Sequence, residues 1–470
     1  MQKLLLLIYL VIFTSNFNAQ TYPSLNINLL AHLNPEKDVT GIDGRKYSGC
    51  WGWAQPNKNR EYAIIGTSSQ TYFVDVTNPT TPVIVDSVKA KHAGCTWREI
   101  KTYQNYCYIV SDDAPPNTFQ IVDMQYLPDS AHVVHDGTTY FERSHTIFID
   151  NEKMYCSSVT DASGIGYSTM RVYSLATPTA PLLLKKLEQD VNTTIIDVVH
   201  DMYVRNDTIY ASCGFKGFHI LKLTASNTFS LIQSFTGYAY SGYNHSSWQT
   251  DDRKTMVFTD EVGAHLPAKV IDVTNFNNIT LVDTIRSSYT ATAHNPYIVG
   301  NRWCWLSSYQ DGLYLYDISN PSNTTIYGYF DTQPQTGTTN FSGNWGAYPY
   351  LPSKIIIACD MQNGIFILEG DNTYQGSVGM NEQSSQSSMF SVYPNPAKDE
   401  IHFLIANQFN KNIQCTITDV LGKLVYNETL NINETFYKTA IHTSILNNGC
   451  YFVTLKGNNI NETKKILIQN

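Results

Sequence analysis

The sequence predicts an all-β protein: a seven-bladed β-propeller closed by its own N-terminal strand, followed by a small C-terminal Ig-like β-sandwich. Three observations carry this. A unit built of short strands recurs at roughly 40–50 residues, the period of propeller blades. Apolar residues alternate, or run in blocks of four to six between Asn, Gly, Pro and Ser turns, with almost no helical periodicity. Aromatic residues make up 13% of the chain, 32 of them Tyr, which suits pleated surfaces where rings and β-branched side chains pack well.

The first twenty residues are expected to be a leader. Lys3 is followed by the apolar run Leu4 to Phe13, then by polar Thr14 to Asn18, and Ala19-Gln20 make a cleavage region, the pattern of a secretory signal peptide. A membrane-spanning helix needs about twenty apolar residues; this run is half that, and no comparable stretch follows. At 470 residues the rest is too long for one ordinary domain, whereas a radial repeat adds units without enlarging any single core.

The repeat is clearest in one apolar strand per unit, commonly closed by an acid. Its copies are Tyr72-Phe73-Val74-Asp75-Val76, Phe119-Gln120-Ile121-Val122-Asp123, Met170-Arg171-Val172-Tyr173-Ser174 and Phe218-His219-Ile220-Leu221-Lys222. They continue as Lys269-Val270-Ile271-Asp272-Val273, Leu313-Tyr314-Leu315-Tyr316-Asp317 and Gly364-Ile365-Phe366-Ile367-Leu368-Glu369. The seventh unit stops there without a fourth strand, while Leu25 to Leu33 resembles a fourth strand with no unit of its own. Pairing the two deficits closes the ring over residues 21–371 and leaves no open sheet edge.

Residues 372–388 are rich in Ser, Gln and Gly and predict a flexible linker. Residues 389–470 begin a new domain with Phe390-Ser391-Val392-Tyr393-Pro394-Asn395-Pro396, then Thr416-Ile417-Thr418-Asp419, Leu421-Gly422-Lys423 and Asn448-Gly449-Cys450-Tyr451. These motifs resemble the type IX secretion sorting domain of Bacteroidota. The resemblance implies partnership with that secretion machinery, outer-membrane passage, removal of the tail and attachment to surface polysaccharide, hence a secreted, surface-anchored protein. Tyr72 to Val83, with Asn78-Pro79, resembles the LVIVD repeat of the bacterial choice-of-anchor B proteins. The likeness extends to Ser144-His145-Thr146, His200-Asp201-Met202, Asn244-His245-Ser246-Ser247-Trp248 and Ala293-His294-Asn295, and departs at Ser246-Ser247, where that family usually reads Gln-Gly. It implies a propeller and a replaceable anchor, and supplies no activity.

A net charge of −9 with 15% charged residues and no basic stripe excludes a nucleic-acid partner. Export permits disulfides. Cys107, Cys156, Cys213, Cys304 and Cys359 sit in apolar strand-like runs and are expected to be small buried hydrophobes. Cys50 and Cys95 share a Gly-Cys context, and pairing between them across adjacent units is one alternative.

His145, His200, His245 and His294 each open a unit's first strand, at spacings of 55, 45 and 49 residues, and His92 takes a nearby position in the second unit. First strands line a propeller's channel, so these imidazoles are expected to converge on one rim. Imidazole is the commonest metal ligand near neutral pH, and Asp201, Asp260, Glu261 and Asn295 add hard donors. A divalent transition metal (Zn, Cu, Fe or Mn) is the cofactor such a ring would take. The alternatives are a polar, watered rim in which each His bonds a neighbouring blade's backbone, and a metal-free acid–base site. His132, His135, His219 and His265 fall outside this register and are expected at the surface or in turns.

Trp51, Trp97, Trp248 and Trp345, with Trp53, also fall just inside the units; they serve either as a ligand platform or as blade-to-blade packing. Arg98-Glu99 is expected to form a charged pair, in the channel or between blades. Asp112-Asp113 and Asp251-Asp252 are expected in solvated turns, calcium needing six or more oxygens. No nucleophile elbow, His-Glu-x-x-His, phosphate loop or dinucleotide fingerprint occurs. Two functions remain open: a binding or scaffold propeller for a glycan, peptide or protein, and a metal-dependent hydrolase, lyase or oxidoreductase.

Overall fold

The structure is a computed structural model describing residues 22–41, 44–91, 93–113, 115–164, 166–263, 265–334, 341–377, 390–393, 397–406, 412–432, 436–457 and 461–469. The expected leader lies outside them. Among the described residues, no helix is long and apolar enough to cross a membrane. The chain divides into two compact units, Met1–Asn381 and Glu382–Asn470.

Seven antiparallel sheets follow one another in the first unit. The innermost strands of blades 1 to 7 are Tyr47–Gln55, Arg98–Tyr103, Ile147–Asp150, Asp201–Arg205, Tyr243–Gln249, Pro296–Val299 and Asn344–Tyr348. Each of the seven repeated strands noted above is the third strand of its blade. The acid that closes several of them has a local purpose. Asp75, Asp123, Asp272 and Asp317 each turn a carboxylate oxygen back to accept the amide two residues on, at 2.8–3.0 Å, which fixes the turn into the fourth strand. Apolar clusters fill the seams between neighbouring blades; Phe73, Val88, Ile109 and Val122, for example, join blades 1 and 2.

Closure occurs as the sequence predicted. Ile27–Leu33 pairs antiparallel with Gly364–Gly370 and becomes the fourth strand of blade 7. Just before it, Ser24–Leu25 pairs with Thr325–Phe330 as a fifth strand on blade 6. The expected linker is corrected at its start: Asn372–Ser377 is a short helix whose Tyr374 is fully buried against Trp303 and Trp305 of blade 6. Apolar contact of this kind overrides a Ser/Gln-rich composition. The remainder of that stretch, 378–388, lies outside the described residues.

The second unit has two antiparallel sheets. One orders Phe390–Tyr393, Glu400–Ala406 and Phe436–His442; the other orders Leu424–Asn431, Asn412–Asp419, Gly449–Lys456 and Asn461–Ile468. Ile401, Phe403, Ile413, Ile417, Val453 and Leu455 form its core, giving the expected small sandwich.

All nine cysteines are free. Cys50 is not paired with Cys95: the Cys95 thiol donates to Asp113 at 2.7 Å, and Cys50 packs in another cluster with Cys359.

Candidate functional site

The first strands carry His145, His200, His245 and His294 to the channel on four consecutive blades, and their rings form a continuous arc. Centroids lie 4.1 Å apart for His145–His200 and 4.4 Å apart for His200–His245 and His245–His294. Trp345 of blade 7 continues the arc 4.4 Å from His294, and Trp97 stacks on Trp345 at 4.9 Å. His92 lies outside the described residues.

Local backbone bonding sets each imidazole. The amides of His145, His200 and His294 donate to the carbonyls of Ser157, Ser212 and Ser307 on their own second strands, at 2.8–3.0 Å. The side chains of His200 and His294 then donate from Nδ1 to the carbonyls of His245 and Trp345, one blade on, at 3.3 and 2.6 Å. A proton held on Nδ1 leaves the Nε2 lone pair bare. The backbone-bonding role and the ligand role foreseen as alternatives are therefore compatible in one ring. His294 Nε2 is buried without a hydrogen-bond partner, as is His245 Nδ1.

Glu261 stands among these rings. Its carboxylate lies 3.5 Å from His245 Nε2 and 3.7 Å from His294 Nε2, and Tyr309 donates its hydroxyl to it at 2.5 Å. His200, His245 and Glu261 each offer a ligand atom within 4.8 Å of the other two. His145 is held from the other side, its Nδ1 being 2.5 Å from Asp112. Burial disfavours charge on His145, but Asp112 outweighs it and raises the pKa to about 9. Burial, reinforced by neighbouring imidazoles, holds His200 and His294 well below the ordinary range.

A cavity of about 40 Å³ opens beside three of the imidazoles, bordered by His145, His200, Asp201, His245 and Asn295 and not by Glu261 or His294. A water needs at least 10–15 Å³, so an ion with a water or two fits and a sugar ring does not. A second tier of rings lies three residues further along each first strand: Phe148, Tyr203, Trp248 and Tyr297. Phe148 touches Trp248 two blades away at 5.9 Å, and Trp248 stacks on Tyr350 of blade 7 at 5.3 Å. Contacts that skip a blade mean these rings meet near the axis.

Several expectations are corrected. Asp260 faces away from Glu261, as alternate strand positions must, and forms a fully buried pair with Lys269 at 2.5 Å. Trp51 and Trp248 border the cavity and also pack, Trp51 under the Lys101 ammonium and against Tyr348. Glu99 pairs with Lys101 on its own strand, while Arg98 is buried and donates to the Thr67 carbonyl of blade 1 at 2.6 Å. Asp112 and Asp113 are only partly exposed and are bonded within the fold: Asp113 accepts the Thr96 and Trp97 amides at 2.7 and 3.1 Å. His219 is buried in a strand between Ser234 and the Lys216 carbonyl. Sequence reasoning missed Asp112 as the partner of His145, and missed Tyr309.

A model of the secretion system C-terminal sorting domain matches residues 391–469, and a model of the LVIVD repeat matches residues 308–332, the third strand of blade 6 with its flanks. No curated protein matches the chain. Among solved structures, the chain is similar to PorZ, a surface component of the type-IX secretion system of Porphyromonas gingivalis, at 10% identity and a TM-score of 0.46, over 91% of this chain and 60% of that one. It thus spans less than two thirds of the PorZ chain. It is also similar to the WD40 repeats of RRP9, at 8% identity and a TM-score of 0.48, over 73% of this chain and 97% of that one. The sorting tail marks the protein for secretion and association with the cell surface, and the chain is a β-propeller that carries an LVIVD repeat at residues 308–332 and a C-terminal secretion-system sorting domain at residues 391–469.

Proposed function

We propose that this surface-associated propeller holds a divalent transition metal at its axis, on His200, His245 and Glu261, and acts there as a metal-dependent enzyme on a small ligand. The observation that carries the reading is the convergence of those three donors within 4.8 Å of one another, beside a small cavity that His200 and His245 border. Two imidazoles and one carboxylate leave coordination positions open, the donor set of catalytic zinc and of non-haem iron. His145 and His294 flank the centre, and Asp112 and the Trp345 carbonyl orient them. Bound there, the metal would supply Lewis acidity toward water or substrate. Elemental analysis of the purified protein tests this: about one equivalent of transition metal is expected, lost in His200→Ala and His245→Ala. Folded, metal-free wild-type protein after exposure to Zn, Fe, Cu and Mn salts would sink it.

A binding or scaffold role for a glycan, peptide or protein is supported by a different feature. Phe215 is 75% exposed and borders a cavity of about 500 Å³ between blades 4 and 5. Tyr243 links it to the histidines, 5.1 Å from Phe215 and 5.2 Å from His200. Loss of glycan-array or surface-extract binding in Phe215→Ala, with metal content unchanged, would favour this role. We further propose that the tail is removed on outer-membrane passage and the propeller joined to surface polysaccharide, for which the sorting-domain match is the support; intact-mass analysis of surface material checks it.

A further inference from the structure

The seam between blades 7 and 1 brings two thiols together. Cys50 lies in the first strand of blade 1, opposite Ile65. Cys359 lies in the second strand of blade 7, between Gly346 and Ile365. The main chain ties these strands beside them: the amides of Lys46 and Tyr47 both donate to the Met361 carbonyl, at 2.7 and 3.2 Å. Both cysteines belong to the same apolar cluster, with Ile65, Ile357 and Ile365. The other four buried propeller cysteines that pack in the blade seams, Cys107, Cys156, Cys213 and Cys304, occupy four different clusters. Burial first, and the neighbouring Cys50 thiol after it, push the Cys359 thiol well above its ordinary range.

We propose that Cys50 and Cys359 form a disulfide in the exported protein, clasping blade 7 to blade 1. Each thiol gives up a proton and the pair gives up two electrons; one S–S bond forms, and the electrons reduce a protein or small-molecule disulfide, which leaves as two thiols. Burial pushes the Cys359 thiol well above its ordinary range, so the exchange belongs to the stage before the seam packs, when a thiolate forms readily. The bond closes a loop containing nearly the whole propeller, the case in which a cross-link most restricts the unfolded chain. It adds a covalent tie at the seam next to the one formed by the N-terminal strand.

The test uses full-length protein secreted by its host, alkylated without reduction and digested. The expected result is the Cys50 peptide joined to the Cys359 peptide, separating only after thiol reductant. Recovery of both peptides singly alkylated overturns the proposal. Independently, reductant should lower the guanidinium unfolding midpoint of the wild type and leave the Cys50→Ser/Cys359→Ser double variant unmoved; a wild-type midpoint indifferent to reductant also overturns it. Neither readout depends on the metal reading.

Discussion

His294 and Trp345 are joined twice. The imidazole donates from Nδ1 to the Trp345 carbonyl at 2.6 Å, and the two rings lie 4.4 Å apart. The bond fixes the tautomer, and the ring contact fixes the tilt that turns Nε2 toward Glu261. Nitrogen NMR of labelled protein should therefore show His294 protonated at Nδ1 and bare at Nε2. It should remain neutral well below pH 6.5, because burial and the neighbouring His245 oppose its charge. A titration of His294 near the ordinary value would contradict this geometry.

His145 behaves oppositely. Its pKa is raised by Asp112 to about 9, so the pair's contribution to stability is complete below pH 6.5 and is lost as pH rises from 6.5 to about 9. The loss is on the order of 3 kcal/mol. Urea unfolding on either side of that window should show it in the wild type, and Asp112→Asn should flatten it.

Asp260 and Glu261 are adjacent in sequence and differ in consequence. Removing only Lys269 strands a buried carboxylate, and Lys269→Met should cost about 3–5 kcal/mol. The double change Asp260→Asn/Lys269→Met should recover much of that loss and keep its metal. Glu261→Gln should keep its stability and lose metal. Thermal unfolding and elemental analysis on the same samples separate the two residues.

Gly364 has a φ of +93°, and a Cβ there would sit 2.4 Å from the Leu33 carbonyl on the closing strand. Gly300 has a φ of +64° with open space around it. Gly300→Ala should cost about 1 kcal/mol, the strain of a left-handed alanine, and Gly364→Ala at least about 2 kcal/mol more. Comparison of the two melting temperatures reads the difference.

Blade number, strand order and ring closure were legible because each unit repeats its third strand, and because the missing fourth strand of one end is present at the other. The histidine arc was legible for the same reason: symmetry collects residues that chain distance separates. What composition could not reveal was partnership at the level of side chains. Asp112 lies 33 residues from His145, in a turn that looks solvated from sequence, and only packing shows it shielded and bonded. Asp260 and Glu261 both read as hard donors, yet strand alternation points one to the channel and the other to Lys269. The Ser/Gln-rich start of the linker hid Tyr374, whose single ring is enough to anchor a helical turn against two tryptophans.

The two ends of the propeller chain meet at one place. The Asp371 amide bonds the Asn26 carbonyl at 3.0 Å, and the turn that follows is pinned to blade 6 by Tyr374. A pull transmitted from beyond Ser377 would thus fall first on that aromatic anchor and then on the outer strands of blades 6 and 7, leaving blades 1 to 5 unloaded. For a protein tethered at its C-terminal side, mechanical wear would concentrate at the junction where its strands begin and end, and of the four imidazoles only His294, on blade 6, would sit on a loaded blade.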